Sequence, residues 1–205
     1  MMRTRFILIL AAMLLSASAA RAQKHEVAFT SGGLKVGDQS FELPRPGFIK
    51  FKTGFTYEIN YARRFFDGRL AALYFEFPFA GTPRTRIETT NALSPNSYSS
   101  IYFTPGIKLK LLPGARYSPF AMVGVGIARF KEGNTLENNQ PNPDPDSGAT
   151  GVFDAGVGLD VRLISILSLR GQFRNFYIEL PRLNISDLKD RANAKFLSAG
   201  LVLRF

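Results

Sequence analysis

Apolar and polar residues alternate along most of this chain, in segments of about ten residues separated by polar or turn-forming stretches. Residues 152–163 show the alternation best. Phe153, Ala155, Val157, Leu159, Val161 and Leu163 share one face, and Asp154, Gly156, Gly158, Asp160 and Arg162 share the other. Because successive side chains of a β-strand point to opposite faces, this segment predicts a strand with one apolar and one polar face.

The same alternation predicts eight strands, over residues 25–34, 49–61, 71–79, 101–111, 119–130, 152–163, 167–177 and 196–205. The first of these is the weakest and rests on Val27 and Phe29. The charged residues predicted on the polar faces are Lys50, Lys52, Glu58, Glu76, Lys108, Lys110, Asp154, Asp160, Arg162, Arg170, Arg174 and Arg204.

The connections between these segments alternate in length. Short ones fall at residues 63–68, 112–118 and 163–166, and the first two contain the turn-forming pairs Asp-Gly and Pro-Gly. Longer ones fall at 35–47, 81–99, 131–150 and 180–193, and the Asn- and Pro-rich residues 132–146 predict a mobile loop. Short periplasmic turns and longer external loops are typical of transmembrane barrels.

Alternation alone does not decide which face lies inside. A soluble, lipocalin-like barrel in the periplasm would turn its apolar face inward, whereas a membrane barrel turns it toward lipid. Glycines among the charges of the polar face favour the membrane barrel, because they make room for long side chains in a narrow lumen, whereas on a soluble surface they would only weaken a strand. The sequence therefore predicts an all-β fold, an eight-stranded antiparallel up-and-down transmembrane β-barrel with short periplasmic turns and longer external loops.

The last eight residues support this prediction. Ser198, Gly200, Leu203 and the terminal Phe205 follow a pattern that resembles the assembly signal of bacterial outer-membrane barrels. Residues 118–130 and 157–174 resemble the OmpA/OmpX-type small outer-membrane β-barrel domain. The resemblance implies an outer-membrane location in contact with lipid and lipopolysaccharide, and barrel-assembly machinery and periplasmic chaperones as partners during biogenesis. We expect no peptidoglycan-binding domain after Phe205.

The N-terminus has the features of a cleaved signal peptide. Arg3 and Arg5 precede an apolar run, residues 6–15, that is too short to span a bilayer as a helix. Residues 20–22, Ala-Arg-Ala, form a small-x-small cleavage site. We therefore expect a signal peptide over residues 1–22 and a barrel domain over residues 23–205.

Composition argues against several functional classes. The chain has no cysteine and a single histidine, His25, which leaves no disulfide, thiolate chemistry or two-histidine metal site. Small-barrel enzymes that act on lipid A need a histidine in or near the outer leaflet, whereas His25 is predicted on the periplasmic side. We therefore predict no catalytic residues, no metal and no cofactor, with Asp144 and Asp146 at most a weak cation site.

The formal charge of +10 could indicate a nucleic-acid partner, but an exported chain with much of its charge in the lumen argues against one. Basic residues predicted on the outer loops, such as Arg84 and Arg86, fit solvated surface charge, the more common case, or contact with lipopolysaccharide phosphates. The surface-loop partner stays unidentified.

The predicted lumen favours a structural role. An eight-stranded barrel is just wide enough for its side chains to fill it, so the lumen charges must pair. If the hairpin turns at 163–166, Asp160 stands opposite Arg170 and should form a salt bridge with it. The preferred function is a structural or interaction barrel, contributing to envelope integrity or surface-loop interactions. The alternatives are a narrow passive pore for small solutes, in which a basic excess in the lumen would favour anions, and a soluble, lipocalin-like binding barrel in the periplasm.

Overall fold

The computed structural model describes residues 24–41, 47–90, 94–179 and 191–205. The predicted signal peptide, residues 1–22, and most of the predicted loop at 180–193 lie outside these ranges. Within them, no helix is long and apolar enough to cross a membrane. The described residues form eleven strands: β1 (His25–Val36), β2 (Gln39–Phe41), β3 (Gly47–Phe51), β4 (Gly54–Asp67), β5 (Ala71–Thr89), β6 (Ser97–Phe103), β7 (Gly106–Leu111), β8 (Tyr117–Glu132), β9 (Ser147–Arg162), β10 (Leu167–Glu179) and β11 (Arg191–Arg204).

The strands close into a ring with eight strand positions, in which neighbours are antiparallel. Strand β1 pairs with β4 on one side and with β11 on the other, which joins the first and last described strands. Strands β6 and β7 share one position between β5 and β8. They are separated at Thr104 and Pro105, where proline has no N–H to donate to the ladder. The predicted eight-stranded barrel is confirmed.

Apolar side chains face outward around the ring. On β5, Phe75, Phe77 and Phe79 are 47%, 45% and 47% exposed, whereas Tyr74 and Glu76, which alternate with them, are buried in the interior. The other barrel strands repeat this arrangement, with outward residues such as Ile59, Val125, Val157 and Leu201. An outward apolar belt fits a lipid environment and excludes the soluble, lipocalin-like alternative.

The predicted strand over residues 49–61 is two strands, β3 and β4. The apolar side chains of this segment point inward on β3 and outward on β4. Phe55, Tyr57 and Ile59 on β4 face outward as predicted, but Ile49 and Phe51 on β3 are buried inside. The facing reverses because Lys52 and Thr53 interrupt the strand and β3 pairs with the distal end of β5, outside the β1–β4 ladder. Strands β2 and β3 thus form a hairpin at the external end of the barrel.

Residues 132–146, predicted to form a mobile loop, are anchored to their surroundings. Leu136 is only 5% exposed and forms an isolated β-bridge with Pro95. The backbone N–H of Asn96 donates to Thr135 O and that of Glu137 to Ser94 O, both at 3.0 Å. Burial and backbone hydrogen bonds to residues 94–96 therefore connect this loop to its neighbour, and its mobility stays a prediction.

Candidate functional site: the lumen of the barrel

Glu26 is the centre of a charged cluster in the periplasmic half of the lumen. Its carboxylate is 3.0 Å from Lys108 Nζ and also pairs with Lys110. It is 3.4 Å from Arg170 Nη2 and 3.5 Å from Arg204 Nε. These four cations come from β7, β10 and β11, so this one carboxylate on β1 links three other strands across the lumen.

Asp160 is the second anion of this cluster. Arg170, its direct cross-strand partner, donates from Nε to Oδ1 at 2.8 Å and from Nη2 to Oδ2 at 3.0 Å. Lys110 Nζ lies 2.7 Å from Asp160 Oδ2, and Arg204 Nη2 lies 3.5 Å from the same oxygen. The guanidinium of Arg170 also lies 4.6 Å from the centre of the Phe120 ring, which adds a cation–π contact.

Arg174 is the centre of a second cluster, nearer the middle of the barrel. It contacts Glu58 Oε2 at 3.0 Å, Glu76 Oε1 at 3.4 Å and Asp154 Oδ2 at 3.1 Å. Neutral side chains donate to the same carboxylates: Gln172 to Glu58 at 2.9 Å, Asn60 to Glu76 at 3.1 Å and Thr104 to Asp154 at 3.0 Å. One guanidinium and three amide or hydroxyl groups therefore donate hydrogen bonds to the three carboxylates.

The charges of the two clusters balance. Among the described residues they contain five buried carboxylates, Glu26, Glu58, Glu76, Asp154 and Asp160, and five buried cations, Lys108, Lys110, Arg170, Arg174 and Arg204. Lys108 Nζ lies 3.9 Å from Glu76 and connects the clusters. Because a buried charge is costly unless it is paired, the equal numbers of opposite charges offset much of the cost of burying each other. The basic excess expected in the lumen is absent from this part of the chain.

Three predicted lumen charges lie elsewhere. Lys50 and Lys52 are exposed, because the strand interruption reverses their facing, and Lys52 pairs with Glu88 at 2.9 Å outside the barrel. Arg162 is half-buried at the periplasmic end and donates to the carbonyl oxygen of Pro113 at 2.8 Å. Glu26 is a lumen charge that was not among those predicted. Glu26 could have been predicted from the sequence, because it alternates with Val27 and Phe29, which face outward.

An apolar layer fills the external half of the lumen. Tyr102 stacks on Phe176 with ring centres 4.6 Å apart and meets Phe130 edge-on at 5.9 Å. Phe51 of the β3 hairpin meets Tyr98 edge-on at 5.8 Å. This layer also contains Leu34, Val36, Ile49, Ile87, Val152, Ile178 and Phe196, all buried. The predicted uniformly polar lumen is therefore polar in its periplasmic half and apolar in its external half.

The periplasmic rim holds the single histidine and the end of the chain. His25 exchanges two backbone hydrogen bonds of 3.0 Å with Phe205, and its ring stacks between those of Tyr61 and Phe205. This position is outside the lumen. In the described part of the chain, no group of three or more acidic or histidine side chains is arranged to hold a metal ion.

The residues predicted to form an assembly signal lie on both faces of the last strand. Leu203 and Phe205 are on the outer face, each 38% exposed, and Ser198 is buried in the lumen. Gly200 packs directly against the backbone of β1, where a Cβ would collide with Phe29 O and lie 2.6 Å from Thr30 Cα. Their role in assembly stays a prediction.

Comparison with known proteins agrees with this geometry. No curated protein sequence matches the chain significantly. Neisserial surface protein A is 13% identical, with a TM-score of 0.55 over 88% of this chain and 97% of that chain. OprG from Pseudomonas aeruginosa is 9% identical, with a TM-score of 0.56 over 90% of this chain and 96% of that chain. A major outer membrane protein from Thermus thermophilus is 12% identical, with a TM-score of 0.50 over 90% of this chain and 100% of that chain.

At these identities the solved structures show a shared fold alone. The sequence profile of the outer membrane protein β-barrel domain matches residues 7–205, nearly the whole chain. The outward apolar belt, the closed ring and the profile agree on the outer membrane as the location. The chain belongs to the outer membrane protein β-barrel domain family.

Proposed function

We propose that this protein is a closed outer-membrane barrel that supports the envelope and presents a structured external surface, without catalysis or conduction. The observation that carries this proposal is the filling of the lumen by two layers in series. A charge-balanced network occupies the periplasmic half, and the aromatic and aliphatic cluster around Tyr102 and Phe176 occupies the external half. A solute would have to displace both.

The alternative of a narrow pore is weaker for two reasons. Arg170 and Arg174, the largest side chains fully buried in the lumen, each contact at least two carboxylates, so moving either would leave buried anions unpaired. The equal number of buried anions and cations also removes the predicted reason for anion preference. The single histidine on the periplasmic rim, outside the lumen, supports a non-catalytic role.

Conductance in planar lipid bilayers tests the closed lumen. We expect no unitary conductance steps from the wild-type protein. Because the two layers act in series, Phe176→Ala with Phe196→Ala should stay closed, and so should Arg174→Gln with Asp154→Asn, whereas the combination of all four should conduct. Heat-modifiable migration in SDS gels confirms folding of each variant. Steady wild-type conductance that changes with the charge substitutions would overturn the proposal in favour of a pore.

The external surface suits a role in interaction because the described loop between β8 and β9 contacts its neighbour through backbone hydrogen bonds and a buried side chain. The connection between β8 and β9 packs on the connection between β5 and β6 through the buried Leu136. A preformed surface loses less conformational entropy on binding than a mobile one. We include outer-membrane lipid, lipopolysaccharide, the barrel-assembly machinery and periplasmic chaperones among the proposed partners.

Complementation separates envelope support from surface interaction. In cells that lack the protein, we would compare the full chain with a variant in which residues 134–145 are replaced by a short Gly-Ser turn. Restored resistance to detergent by both chains would favour envelope support. Restoration by the full chain alone, with equal outer-membrane levels of both, would favour interaction through this loop.

A further inference from the structure

Two lysines stand directly opposite each other at the external end of the seam between the first and last strands. Lys35 on β1 is the cross-strand partner of Lys195 on β11, and both side chains are exposed on the outer face. Like charges directly opposite each other destabilise a sheet. On its other side, Lys195 is paired across the strands with Asn175 of β10, which supplies no countercharge.

Among the described residues, little negative charge offsets this pair. Asp38 Oδ2 lies 4.0 Å from Lys35 Nζ, beyond hydrogen-bond distance, and Asp38 Oδ1 accepts the backbone N–H of Phe51 at 3.3 Å. No acidic side chain of the described residues forms a salt bridge with Lys195. The two lysines and Asp38 therefore carry a net charge of about +1 at neutral pH.

The lysines line an open cleft with a volume of about 360 Å³. Its other lining residues are Val36, Gly37, Asp38, Ala192 and Asn193. Backbone pairing continues above the lysines, because the N–H of Gly37 donates to Asn193 O at 3.0 Å. The cleft is thus part of the seam itself, is lined by both lysines and is large enough for a phosphate group.

The cleft lies where the apolar belt ends. On the outer face of β11, the next outward residue toward the periplasm is Leu197, which starts the apolar run that continues with Leu201 and Leu203. On β10, Tyr177 lies beyond Asn175 and contacts Phe153 with ring centres 5.7 Å apart. Aromatic residues and lysines at the edge of an apolar belt are typical of the level of lipid headgroups.

We propose that this cleft binds the phosphate of a phosphorylated lipid in the outer leaflet, with Lys35 and Lys195 as the two ligands of one phosphate group. The lipid offsets the repulsion between the lysines and so stabilises the seam that closes the barrel. The proposal rests on the outer-membrane location and does not depend on whether the lumen conducts.

Lipid A carrying its phosphates, added to the purified barrel in neutral detergent micelles, is the probe. Thermal unfolding and titration by native mass spectrometry give the shift in Tm and the Kd. We expect lipid A to raise the Tm of the wild type. Lys35→Gln with Lys195→Gln should weaken binding about thirtyfold, which corresponds to about 2 kcal/mol. Lys195→Gln alone, which leaves the Lys35–Asp38 pair intact, should give an intermediate loss.

Without lipid A, Lys195→Gln should not lower the Tm, because it relieves the repulsion. This expectation separates loss of binding from loss of folding. Lys24→Gln with Arg69→Gln removes the same charge from exposed positions near the periplasmic rim and should bind lipid A as the wild type does. Equal lipid A binding by the seam and rim double variants would overturn the proposal. Equal stabilisation by dephosphorylated lipid A, or by inorganic phosphate, would overturn the lipid phosphate as the ligand.

Discussion

Asp160 and Arg170 are direct cross-strand partners in the β9–β10 hairpin, and they form two hydrogen bonds, at 2.8 Å and 3.0 Å, inside the barrel. The turn at residues 163–166 sets the register that brings them together. Arg170 also reaches Glu26 of β1 at 3.4 Å. A local hairpin contact therefore extends into a link across the lumen.

Removing Arg170 should strongly destabilise the barrel. Arg170→Met removes one of the cations that offset the buried negative charges of Asp160 and Glu26. We therefore expect a loss of about 3–5 kcal/mol in the free energy of unfolding. Urea unfolding of the refolded protein in detergent or lipid measures this loss.

Asp160→Asn with Arg170→Met completes a double-mutant cycle. Because both charges of the pair are removed together, the double variant should lose less than the sum of the two single losses. Purely additive losses would show that the pair makes no coupled contribution.

Gly200→Ala should disrupt the seam between β1 and β11. The added Cβ would collide with the backbone of Phe29 and Thr30, so the strands must separate locally. We expect a loss of about 1–3 kcal/mol in unfolding free energy, measured by denaturant unfolding after refolding into detergent. Gly171→Ala on the adjacent β10 is the matched control, because its Cβ meets nothing within 4 Å. Similar losses in both variants would attribute the effect to something other than this contact.

Phe205→Ala should reduce assembly in cells more than folding in vitro. The substitution keeps the two backbone hydrogen bonds between Phe205 and His25 and removes only the ring that stacks on the histidine. We expect refolding in detergent to be nearly unchanged and the level in the outer membrane to fall. A normal level in the outer membrane would contradict the predicted assembly signal.

The β8–β9 loop should be held more firmly at acidic pH. Burial raises the pKa of the Glu132 carboxyl above its ordinary value, although the N–H of Asp146 and the amide of Asn142 donate to it, each at 3.3 Å. The nearby carboxylates of Asp146 and Asp144 also raise the pKa of Glu132.

A raised pKa means that the folded loop binds the proton more tightly than the released loop. The stabilisation is therefore complete below the ordinary glutamate pKa and is lost as pH rises through the raised value. Hydrogen exchange of residues 133–146 from about pH 4 to about pH 8, corrected for the intrinsic rate, should show protection decreasing with pH. Glu132→Gln should remove most of this dependence, and an unchanged dependence would assign it to other groups.

The sequence by itself determined the ring of strands and most of the charged residues that face the lumen. The two-residue period of a strand separates Phe153 from Asp154 and Leu169 from Arg170 without reference to any partner strand. It also determined the Asp160–Arg170 pairing, because a short turn fixes the register of a hairpin.

Only the tertiary structure decided how the lumen charges combine and where the lumen becomes apolar. Glu26 meets Lys108 and Arg170 from 82 and 144 residues away, and that contact exists only after β1 has closed against β11. The inward facing of Ile49 and Phe51 likewise depends on β3 pairing with the far end of β5. Alternation along a strand shows only which side chains share a face. Closure of the ring decides which of these side chains meet across the lumen.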